Sequence, residues 1–273
     1  MQREAIELLV AFDQNYIGPF RTLLCSLLRN NPGERFRIFL LHSAIPEREL
    51  AALGEYCGRG GAELIPLRVD RAIFEGAPVS RQYPQEMYYR LLAPRLLPES
   101  VARVLYLDPD ILALNPLRPL WERELGEYTF AAASHSGLFD VGNHLNRLRL
   151  STDHDYYNSG VLLLDLGRAR TLVKPEEVFT YVREHSGELL LPDQDVFNAL
   201  YGSKTLPLPD EIWNYDPKYY AAYRLRSEGM CDLDWVMGHT VFLHFCGKHK
   251  PWLKSSRDRF SALYKHYMRL ASR

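Results

Sequence analysis

The sequence predicts an α/β fold: a single domain around a central, mostly parallel β-sheet covered by helices on both faces. Three observations predict it. Short apolar runs alternate with longer stretches of helical periodicity through the first half of the chain. Those runs are continuous rather than alternating, which is the pattern of strands buried on both faces. No repeat, low-complexity segment or composition break marks a linker in the 273 residues, a length that buries a sizeable core within one domain.

The elements follow in order. Ile6 to Phe12 (IELLVAF) reads as the first strand. Phe20 to Leu28 has apolar residues at helical spacing, and Asn30-Asn31-Pro32-Gly33 stops it. Phe36 to Leu41 (FRIFLL) is a second strand; Pro46, a good first helical residue, opens a helix to about Tyr56. Gly58, Gly60 and Gly61 break the chain before a third strand, Ala62 to Leu67. Pro84 to Leu97 reads as a helix and Val101 to Leu107 (VARVLYL) as a fourth strand. Further on, Thr129 to Ala133 and Gly160 to Leu166 read as strands, Glu176 to Glu184 and Gln194 to Tyr201 as helices, and Val241 to Phe245 as a last strand. Between Leu206 and Gly238 lies an aromatic-rich stretch read as irregular. In a sheet of this β-α-β-α order, ligands bind beyond the carboxyl ends of the strands. Two strands end in acidic residues, Asp13 and Asp108, although Asp is also an ordinary first residue of a turn.

Composition narrows the function. With 33 Lys+Arg against 34 Asp+Glu, the net charge of −1 removes any global argument for nucleic-acid binding. Cys25, Cys57, Cys231 and Cys246 form no CxxC pair, which suits reduced thiols in a cytoplasmic protein. No basic segment is followed by an apolar signal-like region, and no run approaches the ~18 apolar residues that span a bilayer, so the protein is expected to stay where it is made. The expected division is a main domain over 1–253 and a basic tail over 254–273, with six Lys/Arg and one acidic residue, Asp258. Phe260, Leu263, Tyr264, Tyr267 and Leu270 recur there at helical spacing. Such a helix either docks on an anionic membrane surface at its inner face or packs its apolar stripe on the domain.

The strongest local signal is Val104-Leu105-Tyr106-Leu107-Asp108-Pro109-Asp110-Ile111-Leu112, an apolar strand ending in two carboxylates at i and i+2. Carboxylates in apolar surroundings are costly without a cation, and two so close repel. A divalent metal relieves both problems and is the usual means of neutralising a diphosphate leaving group. Without metal, Asp110→Asn is therefore expected to be neutral or stabilising.

Five blocks in order carry a family resemblance: Ala11-Phe12-Asp13-Gln14-Asn15-Tyr16, Asp108-Pro109-Asp110, Tyr157 to Asp165 (YNSGVLLLD), Leu191-Pro192-Asp193-Gln194-Asp195, and His244 to Trp252 (HFCGKHKPW). The second resembles the DxD motif of Rossmann-like GT-A glycosyltransferases, and the last resembles an HxxGxxKPW signature. Together, from about Ile6 to Trp252, the chain resembles glycosyltransferase family 8, the retaining group that includes bacterial lipopolysaccharide galactosyl- and glucosyltransferases and glycogenin. The resemblance implies a metal-dependent hexosyltransferase using UDP-galactose or UDP-glucose and a glycan or glycolipid acceptor. It implies that Ala11, Asp13, Asn15 and Tyr16 bind the nucleotide, that Gly247 and Lys250 meet the diphosphate, and that Arg90, Asn158, Asp193 and Gln194 line the sugar. Gln194 is assigned positioning, because an amide is a poor nucleophile. His244 would join Asp108 and Asp110 around Mn²⁺, with Mg²⁺ second, since carboxylates plus one imidazole suit those ions.

Two departures limit the resemblance. Ser134-His135-Ser136 stands where some members carry an acidic residue facing the acceptor, and Arg71 to Gln82, which resembles a donor-covering loop, matches no motif. The rival readings are a metal-dependent phosphoesterase or nucleotidyltransferase, and a nucleotide-sugar-binding protein without catalysis.

Overall fold

The computed structural model describes residues 4–74, 85–135 and 140–273. The apolar run that opens the chain forms β1 (Ile6–Ala11); a 3-10 turn (Gln14–Tyr16) leads into α1 (Ile17–Asn30), then β2 (Phe36–His42), α2 (Glu47–Arg59) and β3 (Ala62–Arg68). Next come α3 (Met87–Leu91), α4 (Ala93–Leu96), β4 (Arg103–Leu107), β5 (Ile111–Ala113), α5 (Arg118–Trp121), β6 (Phe130–Ala133) and α6 (Asp140–Leu150). The remainder is β7 (Val161–Asp165), α7 (Leu166–Leu172), α8 (Pro175–Glu184), α9 (Pro192–Tyr201), β8 (Thr205–Leu208), α10 (Asp210–Trp213), α11 (Tyr220–Arg226), α12 (Leu233–His239), β9 (Phe242–His244) and α13 (Arg259–Ala271).

Seven strands form the central sheet in the order β3-β2-β1-β4-β7-β6-β8. β1 pairs in parallel with β2 and β4, β2 with β3, and β6 with β8, whereas β7 runs antiparallel to both β4 and β6. The fold is therefore α/β with a mostly parallel sheet, as the continuous apolar runs predict. Leu8, Leu9, Val10, Leu105, Tyr106 and Leu163 are all buried, and adjacent residues fall into different core clusters on the two faces of the sheet. The direction of β7 has a consequence for function. Its N-terminal end, preceded by Asn158-Ser159-Gly160, lies beside the carboxyl end of β4, with Leu107 opposite Val161 and the Asp108 N–H donating to the Gly160 carbonyl at 2.8 Å.

The structure corrects two sequence expectations. The described part of the Pro84 to Leu97 helix is two helices meeting at Leu92; Pro94 has no N–H to give to the Arg90 carbonyl, which interrupts the ladder. Pro84 itself lies outside the described residues. The stretch from Leu206 to Gly238 is ordered into the end of β8 and α10, α11 and α12, elements too short for their periodicity to show; Tyr215 and Tyr223 stack at 4.1 Å inside a third apolar cluster. The last strand expected at Val241 to Phe245 is present, and it lies outside the central sheet. As β9 it pairs with β5, Ile111 opposite His244.

β5 is held in turn by α1. The Ser26 hydroxyl, fully buried, donates to Leu23 O at 2.7 Å and accepts from Ala113 N at 3.0 Å, while Asn30 Nδ2 donates to Ala113 O at 2.8 Å. Asn30 also donates to the Tyr267 hydroxyl at 2.8 Å, tying α13 to the same place. α13 is capped by Asp258 and buries Phe260, Ser261, Tyr264 and Ala271, leaving Lys254, Arg257, Arg259, Arg269 and Arg273 exposed. Among the described residues no helix is long and apolar enough to cross a membrane.

Ser26→Ala removes the acceptor of a buried strand N–H without creating a large cavity. We expect a loss of about 1–3 kcal/mol in denaturant unfolding. An unchanged denaturation midpoint would show that β5 does not depend on this contact.

Candidate active site

The carboxyl edge of the sheet gathers the acidic residues. Asp108 follows β4 directly, where the buried Tyr106 hydroxyl donates to its Oδ1 at 2.6 Å. Arg90 of α3 reaches across: one terminal nitrogen lies 2.8 Å from Asp108 Oδ1, Nε lies 3.2 Å from Asp193 Oδ2, and the other terminal nitrogen donates to Ser159 O and Oγ, each at 3.1 Å. Burial works against the guanidinium charge, but the carboxylates of Asp108 and Asp193 outweigh it and raise the pKa further. Asp110 is buried in the turn between β4 and β5. Burial alone would raise its pKa, yet His244 and Lys250 outweigh that and hold its carboxyl far below the ordinary range. Lys250 Nζ donates to Asp110 Oδ2 and, at 3.1 Å, to the Phe245 carbonyl.

The β5–β9 pairing brings His244 to this point from the far end of the chain. Its Nε2 stands 3.4 Å from Asp110 Oδ1 and 3.6 Å from Asp108 Oδ2. One ligand atom from each of Asp108, Asp110 and His244 lies within 4.8 Å of the others, so a single divalent cation could touch all three. The cradle is tight: a Cβ on Gly160 would come within 2.2 Å of His244 Cε1 and 2.7 Å of Asp108 Oδ2. Only hydrogen fits between the strand and the ligands.

Beside these three residues runs a chain of amides. Gln194 Oε1 accepts from Asn158 Nδ2 at 3.1 Å and from Ser159 N at 3.2 Å; Asn158 Oδ1 accepts from Gly160 N and from Asn214 Nδ2, both at 2.9 Å. Asn214 Oδ1 faces His244 Nδ1 at 2.8 Å. Both acceptor positions of the Gln194 oxygen are thus taken, and the side chain has only its NH₂ group to offer a ligand.

Two cavities flank these groups. A cleft of about 410 Å³ is lined by Ala11, Asp13, Tyr16, Arg90, Asp108, Asp110 and Lys250, with Phe12, Glu86 and Pro109. Asn15 does not line it; its N–H and Nδ2 donate to the Asp13 carboxylate at 2.9 and 3.0 Å, so Asp13 also caps the turn it begins. A second cavity of about 340 Å³ is lined by Asn158, Gln194 and Gly247 together with His135, Asn143, Tyr156 and Tyr219, among others. Asp193 links the two through Arg90. Gly247 has φ +86°, the left-handed region that glycine adopts without strain. His135 Nε2 donates to the Asn214 carbonyl at 2.8 Å, and burial lowers its pKa, which favours the neutral ring. Ser136 and residues 75–82 of the loop resembling a donor cover lie outside the described residues.

One expectation changes. The carboxylates of Asp108 and Asp110 are not bare, because Arg90 and Lys250 already compensate them. Neutralising Asp110 would strand the partly buried Lys250, so Asp110→Asn is destabilising rather than neutral in the metal-free protein. The residues that sequence reasoning missed are Tyr106, Ser159 and Asn214. Ser159 sits inside the YNSG block and was within reach; Asn214, in the aromatic stretch, carries no local signal.

Residues 7–256 match the family described as Glycosyl transferase family 8. The chain belongs to that family. It is therefore a glycosyltransferase, and its relatives include general stress protein A of Bacillus subtilis, 28% identical over 97% of this chain and 93% of that protein. A lipopolysaccharide 1,2-glucosyltransferase of Escherichia coli is 23% identical over 96% of this chain and 79% of its own length. Among solved structures, the galactosyltransferase LgtC in complex with donor and acceptor sugar analogs superposes with a TM-score of 0.80 at 22% identity, over 97% of this chain and 96% of that one. This likeness places the chain in the GT-A fold.

Gly160→Ala tests the tightness of the cradle in this glycosyltransferase. The added methyl must push His244 or Asp108 aside, and a displacement near 1 Å costs on the order of 10²-fold in turnover. We expect that loss in a nucleotide-release assay, with a modest fall in melting temperature; a rate near wild type would mean the ligands are free to move.

Proposed function

We propose that this family 8 glycosyltransferase moves a hexose, galactose or glucose, from its UDP form to a glycan or glycolipid acceptor with retention of anomeric configuration. A divalent cation held by Asp108, Asp110 and His244 assists, Mn²⁺ in preference to Mg²⁺. The observation that carries this reading is the convergence of those three ligand atoms beside a cleft that Asp108 and Asp110 line together with Asp13, Tyr16 and Lys250. When bound, the ion would neutralise the charge that develops on the diphosphate as the sugar leaves. In this reading the Asp13 carboxylate accepts from the base, the Tyr16 ring lies against it, and Lys250 supplies a point charge to the diphosphate. The backbone at Gly247 allows close approach of a phosphate. Arg90 and Asp193 present donors and an acceptor to the sugar hydroxyls, where an unpaired buried group penalises the wrong epimer. Gln194, its oxygen occupied by Asn158 and Ser159, orients the sugar through its NH₂ group rather than attacking it. The E. coli relatives named as lipopolysaccharide glucosyltransferases and the structural likeness to a galactosyltransferase support the choice of sugars and of a glycolipid acceptor.

A panel of nucleotide sugars incubated with Mn²⁺ tests the donor. UDP release should appear with UDP-galactose or UDP-glucose, vanish on chelation, and strengthen with pH as the imidazole sheds the proton that competes with the ion. Asp110→Asn should lower the metal-free melting temperature, abolish the Mn²⁺-dependent rise, and cut turnover by ~10²-fold or more. Full activity after exhaustive chelation would end the metal assignment. Nucleotide breakdown with no sugar transfer to any acceptor would favour the phosphoesterase reading instead.

The exposed cations of the C-terminal segment, Lys254, Arg257, Arg269 and Arg273, support a second part of the proposal: peripheral contact with an anionic inner membrane surface, near a lipid-linked acceptor. Because α13 buries Tyr264 and Phe260, the test is charge reversal rather than deletion. Replacing these four residues by Glu should leave donor hydrolysis intact and abolish salt-sensitive sedimentation with phosphatidylglycerol vesicles. Equal sedimentation of both proteins would assign the basic face to solvation alone.

A further inference from the structure

We propose that Asn214 is a positioning residue that sets the tautomer of His244 and couples the cation site to Gln194. This rests on the reading of His244 as a metal ligand. An amide presents an acceptor and a donor of nearly the same shape, so its orientation is decided by partners that can play only one role. Two such partners are present. The backbone N–H of Ser159 can only donate, and it points at Gln194 Oε1 at 3.2 Å. The backbone N–H of Gly160 can only donate, and it points at Asn158 Oδ1 at 2.9 Å.

The rest follows along the chain. With its oxygen on Gly160, Asn158 turns its nitrogen to the Gln194 oxygen at 3.1 Å, a donor–acceptor pair that agrees with the Ser159 contact. The Asn158 oxygen takes its second donor from Asn214 Nδ2 at 2.9 Å. Asn214 then has only its oxygen left for His244, and the ring nitrogen facing it at 2.8 Å, Nδ1, must carry the proton. The lone pair of a neutral ring is thereby left on Nε2, the nitrogen that faces Asp110 and Asp108 at 3.4 and 3.6 Å. That is the polarity a metal ligand requires, and a hydrogen bond to the other ring nitrogen is the common means of fixing it. Asn214 is built to hold its place: it is fully buried, its N–H donates to Asp210 O at 3.0 Å, and its carbonyl bonds His135 Nε2 at 2.8 Å. Two backbone amides of the turn before β7 thus specify, through three side-chain amides, which nitrogen of a histidine can bind a cation.

Two readouts test this on the full chain. In chelated, ¹⁵N-histidine-labelled protein, above the pH at which the His244 ring loses its second proton, long-range ¹H–¹⁵N correlation should report the Nδ1–H tautomer in wild type. Asn214→Leu should lose that assignment. Titration of Mn²⁺, with the unbound ion counted by electron paramagnetic resonance, should show Asn214→Leu about 10–100-fold weaker. Asn214→Asp keeps an acceptor for Nδ1–H but cannot donate to Asn158. It should therefore hold Mn²⁺ about as well as wild type while losing UDP-sugar turnover. An Nε2–H ring in wild type overturns the inference, as does undiminished Mn²⁺ affinity in Asn214→Leu, or equal loss of affinity in both variants. An Nδ1–H ring in a wild-type protein that binds no Mn²⁺ would sink the metal reading and leave the tautomer assignment standing. Should Asn214→Leu fail to fold, the wild-type tautomer and the Asp variant decide the matter.

Discussion

The site depends on one strand running the wrong way. Had β7 been parallel to β4, the edge beyond Leu107 would have met the end of β7 rather than its beginning. Because it is antiparallel, the Asn158-Ser159-Gly160 turn arrives beside Asp108, and the Asp108 N–H to Gly160 O contact at 2.8 Å fixes their relative height. From that turn come the backbone donors that orient two amides, the hydroxyl and carbonyl that receive Arg90, and the glycine that leaves room for His244. Ligand groups beyond the carboxyl ends of parallel strands are a general feature of such sheets; here the turn that opens one reversed strand joins them.

The second constraint is charge. Asp108 and Asp110 are held in partly or fully buried surroundings, where an uncompensated carboxylate would be costly. Arg90 and Lys250 compensate them from opposite sides, and each also reaches toward a cavity wall. With these partners in place, one oxygen of each carboxylate stays turned toward His244. The inner oxygens and His244 Nε2 thus face one another across a gap of 3.4 to 3.6 Å.

The sequence by itself determined the sheet and the acidic edge. The runs IELLVAF, FRIFLL and VARVLYL are apolar without alternation, which only strands covered on both faces can be, and Asp108-Pro109-Asp110 stands out because carboxylates abut such a run. The ordered blocks from Ala11 to Trp252 carried the family. Tertiary structure alone decided the rest. That β9 leaves the central sheet to pair with β5 depends on hydrogen bonds between segments about 130 residues apart, to which local periodicity is blind. That Asp110 is paired with Lys250 rather than strained against Asp108 depends on where residue 250 falls once β9 is placed. Asn214 is the clearest case. In sequence it is one asparagine in an aromatic stretch, and its role comes from burial between two groups, Asn158 and His244, that only the folded chain brings to either side of it.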